Sequence, residues 1–72
     1  MSDEIKIIGL TIREFRLKKG WTQEALANAS GLHPSYIGSV ERGHRNLGLL
    51  NLFKIARALS VHPTDLFARI ER

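Results

Sequence analysis

Punctuation limits what this chain can fold into more than any other property. Glycines at 20, 31 and 43 and the pairs His33-Pro34 and His62-Pro63 cut it into short segments with helical periodicity, while strand signals are weak. Ile8, Ile12 and Phe15 fall at i, i+4 and i+7, predicting a first helix from about Ile5 to Lys19 that stops at Gly20. Lys18 and Lys19, in its last turn, read as charges suited to the negative helix end. Thr22 is the predicted cap of a short second helix, with Trp21 placed to pack on Leu26, and Gly31 supplies a left-handed residue after Ser30.

Pro at a first helical position has its φ already set and no N–H to leave unpaired, so third and fifth helices are expected to start at His33-Pro34 and His62-Pro63. Leu32 with Ile37 and Val61 with Leu66 repeat the spacing of a hydrophobic staple. The third helix turns Ile37 and Val40 inward and ends before Gly43; residues His44 to Gly48 read as a loop. A fourth helix is predicted over about Leu49–Leu59, with Leu49, Leu52, Phe53, Ile55, Ala56 and Leu59 on an arc of about 160°, wide even for a core-facing helix. Leu50 falls outside that arc, and Leu66, Phe67 and Ile70 are expected to form the apolar side of the fifth helix. The fold class is therefore all-α, with five helices in one domain spanning residues 1–72.

At 72 residues the chain can bury only about 60% of its unfolded surface, which leaves no room for a two-domain enzyme and makes self-association useful. Cysteine is absent, removing disulfides, zinc–thiolate sites and thiol catalysis together. Eleven Lys and Arg against seven Asp and Glu give a net charge of +4, a balance that favours nucleic acid or another anionic surface. The acidic start Met1-Ser2-Asp3-Glu4 is unlike a signal peptide and no apolar run is long enough to span a membrane, so a cytoplasmic protein is expected. His33, His44 and His62 lack metal-ligand spacing, and Ser35, His33 and Glu41 have the residue types of a catalytic triad without a pocket to house one. No metal, cofactor, small-molecule ligand or enzymatic role is expected.

Gln23, Ala27, Gly31, Ile37 and Val40 stand at the spacings that two short helices joined by a sharp turn require: small Ala27 permits close approach, Gly31 the turn, and Ile37 and Val40 the inward face of the second helix. With these go the runs Lys19-Gly20-Trp21-Thr22-Gln23-Glu24-Ala25-Leu26-Ala27, Tyr36-Ile37-Gly38-Ser39-Val40-Glu41-Arg42-Gly43 and Leu52-Phe53-Lys54-Ile55-Ala56-Arg57-Ala58-Leu59. Through them the chain resembles the phage repressor and Cro-like helix-turn-helix family over nearly its whole length. Its small size and the stretch Tyr36 to Leu47 look most like the controller proteins of restriction-modification systems.

The resemblance implies a homodimer on pseudo-palindromic duplex DNA, with the third helix of each protomer in the major groove. Carried onto this chain, the outward residues of that helix are Pro34, Ser35, Tyr36 and Ser39, with His33 at its entrance. Relatives often place Arg or Gln where Pro34 stands, and proline donates nothing to a base. Direct readout then falls to Ser35 and Ser39, with DNA shape carrying more of the specificity and Tyr36 contacting a phosphate or a thymine methyl. Gln23, at a helix N-terminus, is expected on a phosphate, with Arg42, Arg45 and Asn46 clamping the backbone. Arg16 and Glu41 look like the internal ion pair by which many relatives join the first helix to the third.

The surplus apolar face of the fourth helix points to dimer contacts through Leu49, Leu50, Phe53, Val61 and Phe67. A lone reader with no effector domain suits autoregulation, and the controller resemblance implies regulation of an endonuclease gene as well. Two alternatives remain at this point: a phage-type repressor or antitoxin, and a protein-interaction module whose helix-turn-helix no longer reads DNA.

Overall fold

A computed structural model describes residues 2–70. Among them are five helices and no strand: α1 (Asp3–Lys18), α2 (Gln23–Ser30), α3 (Pro34–Glu41), α4 (Leu49–Leu59) and α5 (Pro63–Leu66). The first helix starts at Asp3 and not Ile5, because the Ser2 hydroxyl caps it by accepting the Ile5 N–H at 3.4 Å. Asp3 and Glu4 then occupy the first turn, where negative charge suits the exposed N–H groups. Lys19 is the C-cap, one position past the helix.

The core joins one face from every helix: Ile12, Leu26 and Ala27, Ile37 and Val40, Ile55, Ala56 and Leu59, and Leu66 are all buried. Ile8, Phe15, Trp21 and Leu32 close around them. The turn from α2 to α3 depends on Gly31, whose φ of 72° and ψ of 26° place it in the left-handed region, and Leu32 N–H donates to the Ala27 carbonyl at 3.0 Å. A second glycine matters for a different reason. α1 presses on the end of α3 at Gly9, where a Cβ would run into the Val40 carbonyl oxygen.

Both His-Pro pairs start helices, and the histidines themselves supply the caps. His33 Nδ1 accepts the Ser35 N–H at 3.1 Å, and His62 Nδ1 accepts the Thr64 N–H at 3.3 Å. At α5 the Asp65 carboxylate returns a bond to the His62 N–H at 3.0 Å, completing a capping box.

Two expectations need correction. On α4 the buried arc is narrower than the apolar one: Leu52, Ile55, Ala56 and Leu59 cover about 100° of the helix, while Leu49 and Phe53 point away from the core and are 69% and 38% exposed. Among the described residues α5 is a single turn and leaves that flank exposed. The predicted α5 face through Phe67 and Ile70 is also lost, because Phe67 leaves the helical region at φ −119° and ψ 17°. The chain then returns toward α1, where Arg69 Nη2 meets Glu14 Oε2 at 2.6 Å, a hydrogen bond that holds the Glu14 carboxyl below its usual 4.5.

Candidate nucleic-acid interface

Burial on one side of α3 dictates what its other side offers. Ile37 and Val40 anchor it in the core, leaving Ser35 exposed and Pro34, Tyr36 and Ser39 half-buried on the outer side. A shallow open depression brings His33, Ser35, Tyr36, Ser39 and Arg45 together, with Gly31 and Leu32 at its edge. Pro34 stays at the first helical position, contributing fixed geometry and no donor.

Within the depression the polar groups hold each other. The Ser35 hydroxyl lies 2.8 Å from His33 Nδ1, so this ring nitrogen is occupied by the cap. Tyr36 accepts a hydrogen bond on its phenol oxygen from Asn51 Nδ2 at 3.0 Å, and the Arg45 guanidinium sits 5.2 Å from the ring centroid. Arg42 Nη2 donates to Ser39 Oγ at 3.4 Å. Asn51 has no place in a reading based on apolar periodicity, yet it is the residue that fixes the phenol.

Beneath this face lies a buried ion pair. Arg16 Nε and Nη2 donate to the two Glu41 oxygens at 2.7 and 2.9 Å, and Arg16 Nη1 donates to the Trp21 carbonyl at 2.6 Å. The hydrogen bonding that Arg16 donates to the Glu41 carboxylate raises the Arg16 pKa above its ordinary value. The pair thus ties α1, the turn into α2 and the end of α3 together.

Gln23 completes the group: its Nε2 donates to Glu41 Oε1 at 3.1 Å, so the residue expected on a phosphate is oriented by the ion pair, with the second amide hydrogen still to give. Its side chain and that of Arg42 meet over Gly38, where a Cβ would stand 3.3 Å from Gln23 Oε1 and 3.2 Å from Arg42 Nη1. Neither Gly38 nor Gly9 could be singled out by local pattern, since the neighbours that require them come from other helices.

The remaining expected residues spread further. Arg42 and Arg45 are exposed beyond α3, while exposed Asn46 lines a separate crevice beside Ile5, Ile8 and Leu52. Lys18 and Lys19 sit over the rings of Phe15 and Trp21, at 5.5 and 5.0 Å from their centroids. Leu49 and Leu50 are 69% and 66% exposed, and Phe53 and Val61 share a groove at the α4–α5 junction. Phe67 is exposed just past α5. Among the described residues no helix is long and apolar enough to cross a membrane.

Residues 12–66 match the helix-turn-helix family. The chain belongs to that family. It is 44% identical over 68 residues to the control protein C.BamHI of Bacillus amyloliquefaciens, an alignment covering 92% of this chain and 84% of the relative. Its fold superimposes on the restriction-modification controller protein C.AhdI from Aeromonas hydrophila with a TM-score of 0.89 at 47% identity, covering 92% of this chain and all of the other. The controller protein C.Esp1396I, solved as a tetramer with its natural 35 base-pair operator, matches with a TM-score of 0.86 at 37% identity over 94% of this chain and 90% of that one. This helix-turn-helix chain is thus a DNA-binding regulator of transcription of the restriction-modification controller type.

Proposed function

We propose that the chain acts as a homodimer on a pseudo-palindromic operator, each protomer laying α3 in the major groove, and that it controls its own gene and that of an associated endonuclease. The observation that carries this reading is the outward side of α3, where His33, Ser35, Tyr36, Ser39 and Arg45 share one open depression backed by a fully packed helix. Rigid backing matters because a reading residue discriminates bases only if its position is fixed. Ser35 and Ser39 supply short hydroxyls to base edges, and the Asn51-held Tyr36 reaches a phosphate or thymine methyl. Gln23, Arg42, Arg45 and Asn46 hold the sugar–phosphate backbone, which sets register and makes affinity depend on salt.

Dimerisation is assigned to Leu49, Leu50, Phe53, Val61 and Phe67, because a second copy covers apolar surface that the chain leaves open. The variable in this reading is protein concentration: occupancy rises with dimer, and the operator of the chain's own gene responds. The resemblance to controller proteins supports activation of the endonuclease gene at low occupancy and self-repression at higher occupancy.

Selection of bound duplexes from a random library tests the reading. A palindromic motif with half-sites about 34–36 Å apart, or a multiple, is expected. Unenriched sequences with merely salt-sensitive retention would replace it with a protein-interaction role.

A further inference from the structure

The three acids of α1 share one side of the helix. Asp3 and Glu4 line a crevice with Arg69, and Glu14 pairs with Arg69, so the acids face the returning C-terminal segment. Lys6 and Arg13, seven residues apart and so on one face of the helix, line a different, open cleft completed by Arg42 and His44 from beyond α3. The one carboxylate in the cleft, Glu41, is already matched by Arg16 and Gln23, so it does not offset the three rim cations. Among the described residues, the ion pairs are Arg16–Glu41 and Arg69–Glu14; neither uses Lys6, Arg13 or Arg42. The stem of Lys6 lies against Gly43, just past α3, where a Cβ would come within 2.7 Å of Lys6 Cγ.

We infer that this cleft takes a DNA phosphate beyond the half-site read by α3, extending the backbone contact from α2 and α3 onto α1. The cleft is continuous with the backbone-binding set, because Gln23 and Arg42 line it and meet over Gly38. A strand whose phosphates pass the start of α2 and the end of α3 therefore reaches Arg13 and Lys6 next. Leu10, also in the cleft and 53% exposed, adds an apolar wall against the deoxyribose. The inference rests on the operator reading above and adds contacts that the helix-turn-helix spacing does not contain.

The test compares wild type, Lys6→Gln, Arg13→Gln and, as a control cation outside the cleft, Lys18→Gln on the selected duplex. Each lost phosphate contact lowers the log–log salt slope by about 0.9, so one substitution in both protomers of a dimer lowers it by about 1.8. Lys18→Gln is expected to leave the slope within a few tenths of wild type. Phosphate-ethylation interference supplies the readout that packing alone does not move: with Arg13→Gln, one interfering phosphate per half-site disappears from the outer flank. Unchanged slopes and an unchanged ethylation pattern, with wild type still selecting its palindrome, would overturn the inference, leave the operator reading standing, and give the cleft to an acidic protein segment. If wild type selects no duplex, the operator reading itself fails and this inference falls with it. Gln keeps a straight polar stem without the charge, and matching thermal midpoints confirm that the variants are folded.

Discussion

Replacing Arg16 with Met strands the Glu41 carboxylate in the protein interior, and the cost can be bounded from the structure. Arg16 is 7% and Glu41 5% exposed, the pair is bidentate, and what remains for the carboxylate is one amide donor from Gln23. Removing one partner of a buried pair costs about 3–5 kcal/mol. The Trp21 carbonyl also loses its donor, worth about 1 kcal/mol more. A domain of this size has about 4–11 kcal/mol in total, so Arg16→Met is expected to lose between a third and all of its stability.

Replacing both partners, Arg16→Met with Glu41→Leu, removes the stranded charge and is expected to recover most of the loss, because apolar residues of similar volume often substitute for a buried pair at little cost. Urea unfolding followed by the fluorescence of the single tryptophan, half-buried Trp21, reads all four corners of the cycle. With m near 1 kcal/mol/M, the single variants move the midpoint by about 3 M or more, and the double variant lies nearer wild type than either. A loss below about 1 kcal/mol for Arg16→Met, or a double variant that loses the sum of the singles, would refute the reasoning.

Gly9→Ala tests the approach of α1 to α3. Helix propensity alone predicts a gain of about 1 kcal/mol, but the collision with the Val40 carbonyl predicts a net loss of about 1–3 kcal/mol, read as a lowered thermal midpoint; a raised midpoint would contradict the packing. Arg42→Ala and Arg45→Ala are each expected to lower the salt slope of operator binding by about 0.9 per protomer while preserving the selected sequence, whereas a changed sequence preference would mean that they read bases. Leu50→Glu puts a charge on the exposed apolar flank of α4 and is expected to give a monomer where wild type sediments as the proposed dimer at tens of micromolar, with fold retained by circular dichroism. An unchanged dimer would move the interface off α4.

How much of this was legible in the sequence follows from how local each determinant is. Helix number, the turn at Gly31 and the inward faces of α2 and α3 depend on periodicity and capping within a few residues, so they could be read directly. The Arg16–Glu41 pair spans 25 positions and rested on resemblance alone; the structure records it as a bidentate contact. The helix starts at His33-Pro34 and His62-Pro63 were legible from proline, but the caps made by the histidine rings were not, because histidine is not among the preferred N-cap residues. The end of α5 was misjudged because the apolar residues Phe67 and Ile70 continued a helical pattern, while Arg69 found Glu14 on another helix. Asn51 and Gly38 gain their meaning only from Tyr36, Gln23 and Arg42 across the fold.

The central claim is that the outward side of α3 reads sequence, and a side-by-side duplex selection with wild type, Ser35→Ala and Ser39→Ala tests it most directly. Each removed hydroxyl is expected to leave the palindrome and its spacing intact while relaxing base preference at one symmetric position in each half-site. A motif from both variants identical to that of wild type at every position would contradict the claim, and would show that these α3 hydroxyls do not read the operator.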